Sequence, residues 1–204
     1  MKTNMPLNTD ILKIDDVANY VDRLAGNIKN DIYKKFRRMG GVVGISGGID
    51  SSVTLALLAR AMGNDKLLAV MLPEKDSSPD SLHFGKLISE KLNVKYVVED
   101  ISQALEGFQC YARRDEAVRR VFPEYDPLKH TFKIGLNESS IETQIPSLFF
   151  ITLVDEHGME QKKRLPAAEM LQIMAASNFK QRARMSMLYY HAEKHHYAVI
   201  GTSN

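Results

Sequence analysis

Residues 41–53 read Gly41-Val42-Val43-Gly44-Ile45-Ser46-Gly47-Gly48-Ile49-Asp50-Ser51-Ser52-Val53. The first six, Gly41 to Ser46, form a short β-branched run of the kind found in a strand buried on both faces. Two glycines follow, and residues 51–62 then carry the composition of a helix. Lys66 to Leu72 is a second apolar run and predicts a second buried strand. Strand, glycine-rich turn, helix and strand together make a βαβ unit.

Upstream, Ile14, Val17, Val21, Leu24, Ile28, Ile32 and Phe36 recur every three or four residues, which puts them on one face of a helix that Gly40 and Gly41 would end. Downstream, Asp76 to Ser81 is a turn with capping residues before a helix through Leu92, and Val94 to Val98 is a third strand. Ile101 to about Gln109 reads as another helix, and Cys110 to Leu165 is less regular. Inside that stretch, Ser147 to Leu165 predicts two extended runs joined around Asp155 to Gly158, a hairpin inserted beside the main sheet. Two helical stretches, 166–176 and 178–193, precede a last buried strand, Tyr197 to Gly201. The alternation predicts an α/β fold: a doubly wound, mostly parallel sheet with helices on both faces. In such sheets ligands bind outside the carboxyl ends of the strands, where the loops at 46–52, 73–80 and 201–204 converge.

The loop from Gly44 to Ser52 leaves a strand and opens a helix, so successive N–H groups and the positive end of the helix dipole face one small volume suited to an anion. Gly47 and Gly48 take away Cβ atoms that would hold a phosphate off the amides, and Ser46, Ser51 and Ser52 add hydroxyl donors. Asp50 is out of place beside a polyphosphate unless a cation lies between, and a hard, oxygen-seeking ion such as Mg²⁺ resolves that conflict. No lysine follows the second glycine, so this is not the phosphate loop of kinases and GTPases, nor is it the Gly-x-Gly-x-x-Gly dinucleotide turn.

Ser46-Gly47-Gly48-Ile49-Asp50-Ser51 resembles the pyrophosphate loop of the ATP-pyrophosphatase superfamily, which would give the fold of the adenine nucleotide alpha hydrolases. A second stretch, Asn178-Phe179-Lys180-Gln181-Arg182-Ala183-Arg184-Met185, leads through Tyr189, Tyr190 and His191 to Gly201-Thr202-Ser203-Asn204. It is similar to the Lys-x-Arg-x-Arg-Met and Gly-Thr-x-Asn/His signatures of the ammonia-dependent NAD synthetase family, and the two signatures bracket the scaffold from about 10 to 105 and from 166 to 204. The resemblance implies that ATP is held by Gly44, Ile45, Ser46, Gly47, Gly48, Ile49, Asp50, Ser51 and Ser52, by backbone near Met71 and Leu72, and by Thr202. It implies Mg²⁺ on Asp50 and deamido-NAD on Arg182. Arg182 and Arg184, two apart on a helix, do not share a face, so one can reach an anionic substrate while the other pairs internally or meets a different phosphate.

The implied chemistry is adenylation of a carboxylate with loss of pyrophosphate, then amidation by ammonia, in a homodimer. The family continues past Gly-Thr-x-Asn with a metal-holding Glu, so the resemblance implies a single domain over 1–204, with an irregular insertion at about 110–165, truncated at its carboxyl end. Two alternatives stay open: a related adenylating amidotransferase or thiolating enzyme with another acid, and a non-catalytic nucleotide-binding domain.

Composition narrows the remaining classes. With 204 residues, 44% hydrophobic, the chain can bury a substantial core. It contains no apolar run of membrane-spanning length, and its first residues lack the plan of a signal peptide, so a cytoplasmic protein is expected. A net charge of +2 is too weak a field to argue for nucleic acid or membrane. The basic clusters Lys34-Lys35-Arg37-Arg38, Arg113-Arg114-Arg119-Arg120 and Lys162-Lys163-Arg164 read as solvated faces. A single cysteine, Cys110, rules out an internal disulfide and reads as structural. His191, His195 and His196 lack a carboxylate or Cys at ligand spacing and read as a solvated or interface-facing helix end.

Overall fold

A computed structural model describes residues 13–136 and 149–202. The start of the scaffold before Lys13, Ser147 and Leu148 of the expected hairpin, and Ser203 and Asn204 of the last motif lie outside the described residues. The rest gathers into two compact units, one from Met1–Glu99 and Met187–Asn204, the other from Asp100–Ser186.

The first unit is built on a four-stranded sheet in the order β3-β2-β1-β7, where β1 is Gly41–Gly44, β2 Leu67–Met71, β3 Lys95–Val98 and β7 Ala198–Ile200. All three pairings are parallel. Two central strands are buried on both faces, as their apolar runs require: Val42, Val43, Ala69 and Val70 are all at most 1% exposed. Helix α2 (Ile49–Met62) follows β1 and places Ser51, Leu55, Leu58 and Ala61 inward at intervals of three and four. Helix α3 (Pro79–Lys91) follows β2, with Ser78 as its N-cap and Pro79 in the first turn, where a missing N–H costs nothing. Burial of each large aliphatic side chain in this core contributes about 1.5–3 kcal/mol.

The sheet is wound in both directions from β1, with β2 and β3 on one side and β7 on the other, which makes the gap between β1 and β7 the switch point. Side chains alternate faces along a strand. A Cβ on Gly44 would meet Leu188 at 3.2 Å, whereas the next residue, Ile45, packs its Cγ2 toward Gly85 of α3. Leu188 and α3 therefore lie on opposite faces, and the expected doubly wound α/β fold is present.

Four details differ from expectation. Helix α1 (Val17–Asn30) runs on through a π-helical turn at Asp31–Lys35 and stops before Gly40, with Arg37 rather than a glycine in the left-handed position. Gly40 instead allows a close approach of backbone and ring, since a Cβ there would lie 2.2 Å from the Lys66 carbonyl and 2.7 Å from the Tyr197 ring. The ends of the stripe are exposed, at Ile14 (45%), Val17 (59%) and Phe36 (63%), while Ile32, one step before the last, is buried. As an edge strand, β7 is only half-buried, because among the described residues no further strand covers its outer side.

In the second unit, the stretch expected to be irregular holds a helix and a separate antiparallel sheet. Helices α4 (Ser102–Gly107) and α5 (Cys110–Val121) precede β4 (Thr131–Leu136), β5 (Phe149–Val154) and β6 (Glu160–Arg164), in the sheet order β4-β5-β6. The β5–β6 pair is the expected hairpin, now part of a three-stranded sheet with its own core: Ile151 and Leu153 point inward against Ala117, Val118, Phe122 and Ile173. The two helical stretches after Pro166 are one helix, α6 (Ala167–His195), which gives its first twenty residues to this unit and its last turns to the other.

The hairpin turn is organised by Asp155, whose Oδ1 accepts from the N–H groups of Met159 (2.8 Å) and His157 (2.9 Å). The Met159 N–H, foremost, and that of His157 hold this carboxyl below its ordinary range. A carboxyl with a depressed folded-state pKa stabilises the fold above the unfolded value, near 3.9, and that contribution disappears as pH falls through the folded value. Asp155→Ala is therefore expected to lower the hydrogen-exchange protection of the His157 and Met159 amides at neutral pH, and acidification below about pH 4 should bring the parent chain toward the variant. Equal protection in both chains at pH 7 would contradict this role.

Candidate functional site

Strand β1 ends at Gly44, and Ile45 keeps the sheet register with one further bond, its N–H donating to the Val70 carbonyl at 2.9 Å. The chain then turns sharply. Gly47 takes φ +77°, and an added Cβ would sit 2.6 Å from the Ser81 carbonyl oxygen and 3.1 Å from Phe84 Cβ. Its glycine is thus required by α3 as well as by any ligand. Gly48 is different: it is the extended N-cap of α2, and a Cβ there would meet only Ser46 Oγ, at 3.3 Å. Of the two glycines, Gly48 is the one whose missing side chain opens space outward.

The hydroxyls brace this turn. Ser51 Oγ donates to the Gly48 carbonyl (3.1 Å) and accepts from the Ser46 N–H (3.4 Å), while Ser52 Oγ donates to the same carbonyl (2.8 Å). Ser46 Oγ accepts from the Gly48 N–H at 3.3 Å and lies 3.3 Å from Ser51 Oγ. Ile49, Asp50 and Ser51 open α2, where an α-helix offers no acceptor to the N–H groups. The Asp50 side chain is exposed and has no partner among the described residues.

Strand register brings the other expected contacts to the same edge. Gly44 pairs with Val70 and Val43 with Ile200, so two residues further on Ser46 is level with Leu72, and Ile45 with Thr202. Leu72 is buried and Thr202 exposed. Gly44 through Ser52, Leu72 and Thr202 therefore line the carboxyl edge of one parallel sheet beside its switch point.

One pair at this edge carries no sequence signature. His191 is 4% exposed rather than solvated, and its Nε2 lies 3.0 Å from Oε1 of Glu99, whose own N–H donates to the Met71 carbonyl next to Leu72. A lone histidine and a lone glutamate 92 positions apart give no spacing to read. Arg182 and Arg184 belong to the second unit, on α6. Arg182 is exposed and lines a cavity there, whereas Arg184 is half-buried and engaged by a partner, so Arg182 is the one with a guanidinium to offer. Cys110 is buried, and burial pushes its thiol above the usual value despite the opposing charges of Arg113 and Lys180, the reverse of what a nucleophile needs.

The NAD synthase family model matches residues 20–121 and 136–204. The chain belongs to the NAD synthase family. Relatives among NH3-dependent NAD+ synthetases include that of Rhizobium rhizogenes, 40% identical over 97% of this chain and 59% of its own length, and that of Mesorhizobium japonicum, 42% identical over 93% and 59%. This chain thus spans about three-fifths of the length of these relatives. Among solved structures, the NH3-dependent NAD synthetase of Campylobacter jejuni matches with a TM-score of 0.58 at 21% identity, over 94% of this chain and 58% of that one, which shows the shared fold. Both segments matched by the family model contain residues expected at the site, the loop in the first and Arg182, Arg184 and Thr202 in the second. Among the described residues no helix is long and apolar enough to cross a membrane.

Proposed function

We propose that this chain is the nucleotide-binding part of an ATP-dependent amide ligase that makes NAD from deamido-NAD and ammonia. The observation that carries the proposal is the strand-to-helix loop at the switch point, with open first-turn amides and, in the same turn, an Asp50 carboxylate that has no partner among the described residues. Such an amide cluster at a helix start suits the β and γ phosphates of ATP. Backbone at Leu72 is assigned to adenine, Thr202 to a phosphate and Arg182 to the acid substrate. The cytoplasm and a homodimer are part of the same proposal.

The residues fit Mg²⁺. Among the described residues no group of three or more His, Cys, Asp or Glu could form a closed metal cage. A lone exposed carboxylate beside a phosphate site matches the habit of Mg²⁺, which takes one or two carboxylates, substrate phosphates and water. When bound, the ion would neutralise charge on the phosphates.

In the reaction, an oxygen of the substrate carboxylate attacks the α-phosphorus, the bond from that phosphorus to the bridging α–β oxygen breaks, and pyrophosphate leaves into the loop. Ammonia then attacks the acyl carbon, loses a proton, and AMP departs. Loop amides are placed to meet charge that grows on the leaving group, so positioning and electrostatics supply the rate and no side-chain nucleophile is needed. An assay of pyrophosphate release with ATP, Mg²⁺ and ammonia tests the reading. Release that requires deamido-NAD supports it; equal release with an unrelated carboxylic acid would turn it toward another acceptor.

A further inference from the structure

Within the second unit, residues of α4, α5 and α6 and the turn between α4 and α5 line an open cleft of about 560 Å³, within the range of small-molecule sites. Phe108 and Phe179 line it with ring centroids 4.8 Å apart, tilted at 52°, and Phe108 is 61% exposed, which leaves ring surface open. Arg113 and Arg182 line the same cavity, both exposed, and neither guanidinium has a carboxylate partner among the described residues.

The walls are fixed to each other. Gln172 of α6 donates from Nε2 to the Arg113 carbonyl at 2.6 Å, so the helix that carries Arg182 is tied to the one that carries Arg113. Two guanidiniums that line one cavity without a carboxylate partner among the described residues leave positive charge that an anion would offset, and Arg is well suited to planar carboxylates and phosphates. Aromatic faces beside them take a planar ring.

We infer that this cavity binds an aromatic ring that bears an anionic group, held between Arg113 and Arg182 with the ring against Phe108 and Phe179, and that Arg113 is a substrate-binding residue for the acid. The inference rests on the reading of Arg182 as the acid-binding arginine and extends that site to α5. The anion has two possible sources, a ring carboxylate or a nucleotide phosphate.

Titration calorimetry on the full chain tests it with deamido-NAD, with nicotinate riboside, which has the carboxylate alone, and with nicotinamide mononucleotide, which has the phosphate alone. Arg113→Gln and Arg182→Gln should each weaken deamido-NAD binding at least tenfold and leave ATP binding within twofold, with Arg113→Lys in between. The single-anion probe that loses affinity in Arg113→Gln identifies the source. If Arg182→Gln weakens binding and Arg113→Gln does not, the inference fails and the ligase reading stands. A parent chain that binds ATP but no deamido-NAD overturns both.

Discussion

Asp50→Asn keeps the fold and stops the chemistry. The side chain is exposed and has no hydrogen-bond or ion-pair partner among the described residues, so its change removes no internal hydrogen bond. A carboxylate in the first turn of a helix even gains slightly from the dipole, by about 0.3–1 kcal/mol at an exposed position, and asparagine gives up only that. What the variant lacks is the charge that, in the proposed function, would hold a cation between protein and phosphates. Pyrophosphate release should fall at least about a hundredfold, the scale of losing one preorganised electrostatic partner, while the melting temperature shifts by no more than a few degrees. Unchanged turnover would remove Asp50 from the metal site.

Gly47→Val should show the opposite balance. The residue sits at φ +77°, and a new Cβ would fall 2.6 Å from the backbone oxygen of Ser81. A β-branched residue in left-handed backbone costs about 1–3 kcal/mol, and overpacking adds a similar amount. A loss of roughly 3 kcal/mol or more is expected, a fall of about 6–12 °C in melting temperature for a chain of this size, together with lost ATP binding. Gly48→Ala is the contrast: its Cβ would meet only Ser46 Oγ, at 3.3 Å, so the fold should survive. Weakened ATP binding in that variant would then report the approach of a phosphate and nothing else. A Gly47→Val chain that melts with the parent would contradict the packing described for the loop.

The parallel sheet and its loop are legible in the sequence because their determinants are local. β-branched residues buried on both faces, two glycines and a helix start leave few other arrangements for residues 41–62. The second unit is harder to read, and α5 shows why. Its inward face is formed by Tyr111, Asp115, Val118 and Phe122, at helical spacing, but Asp115 occupies a position where such a pattern is expected to be apolar. That carboxylate is buried because Arg114 Nε (2.8 Å) and the Tyr125 hydroxyl (3.3 Å) satisfy it, and those partners are visible only in three dimensions. Helix α6 reads as two because Ser177 and Asn178 resemble a break, yet Ile173 and Ala176 before them and Leu188 and Ala192 after them are all buried, so tertiary packing outweighs a weak local preference. The contact of His191 with Glu99, and the presence of Arg113 and Arg182 on one cavity, join distant positions and leave no spacing to find.

Whether the helix-start amides receive phosphate decides the rest. Titrating the isotopically labelled chain with ATP and Mg²⁺ and following backbone amide resonances by NMR tests this directly. The largest shifts are expected at Gly48, Ile49, Asp50 and Ser51, absent when adenosine replaces ATP. Shifts of the same size with adenosine, or none in this segment at saturating ATP, would contradict a phosphate site at the start of α2.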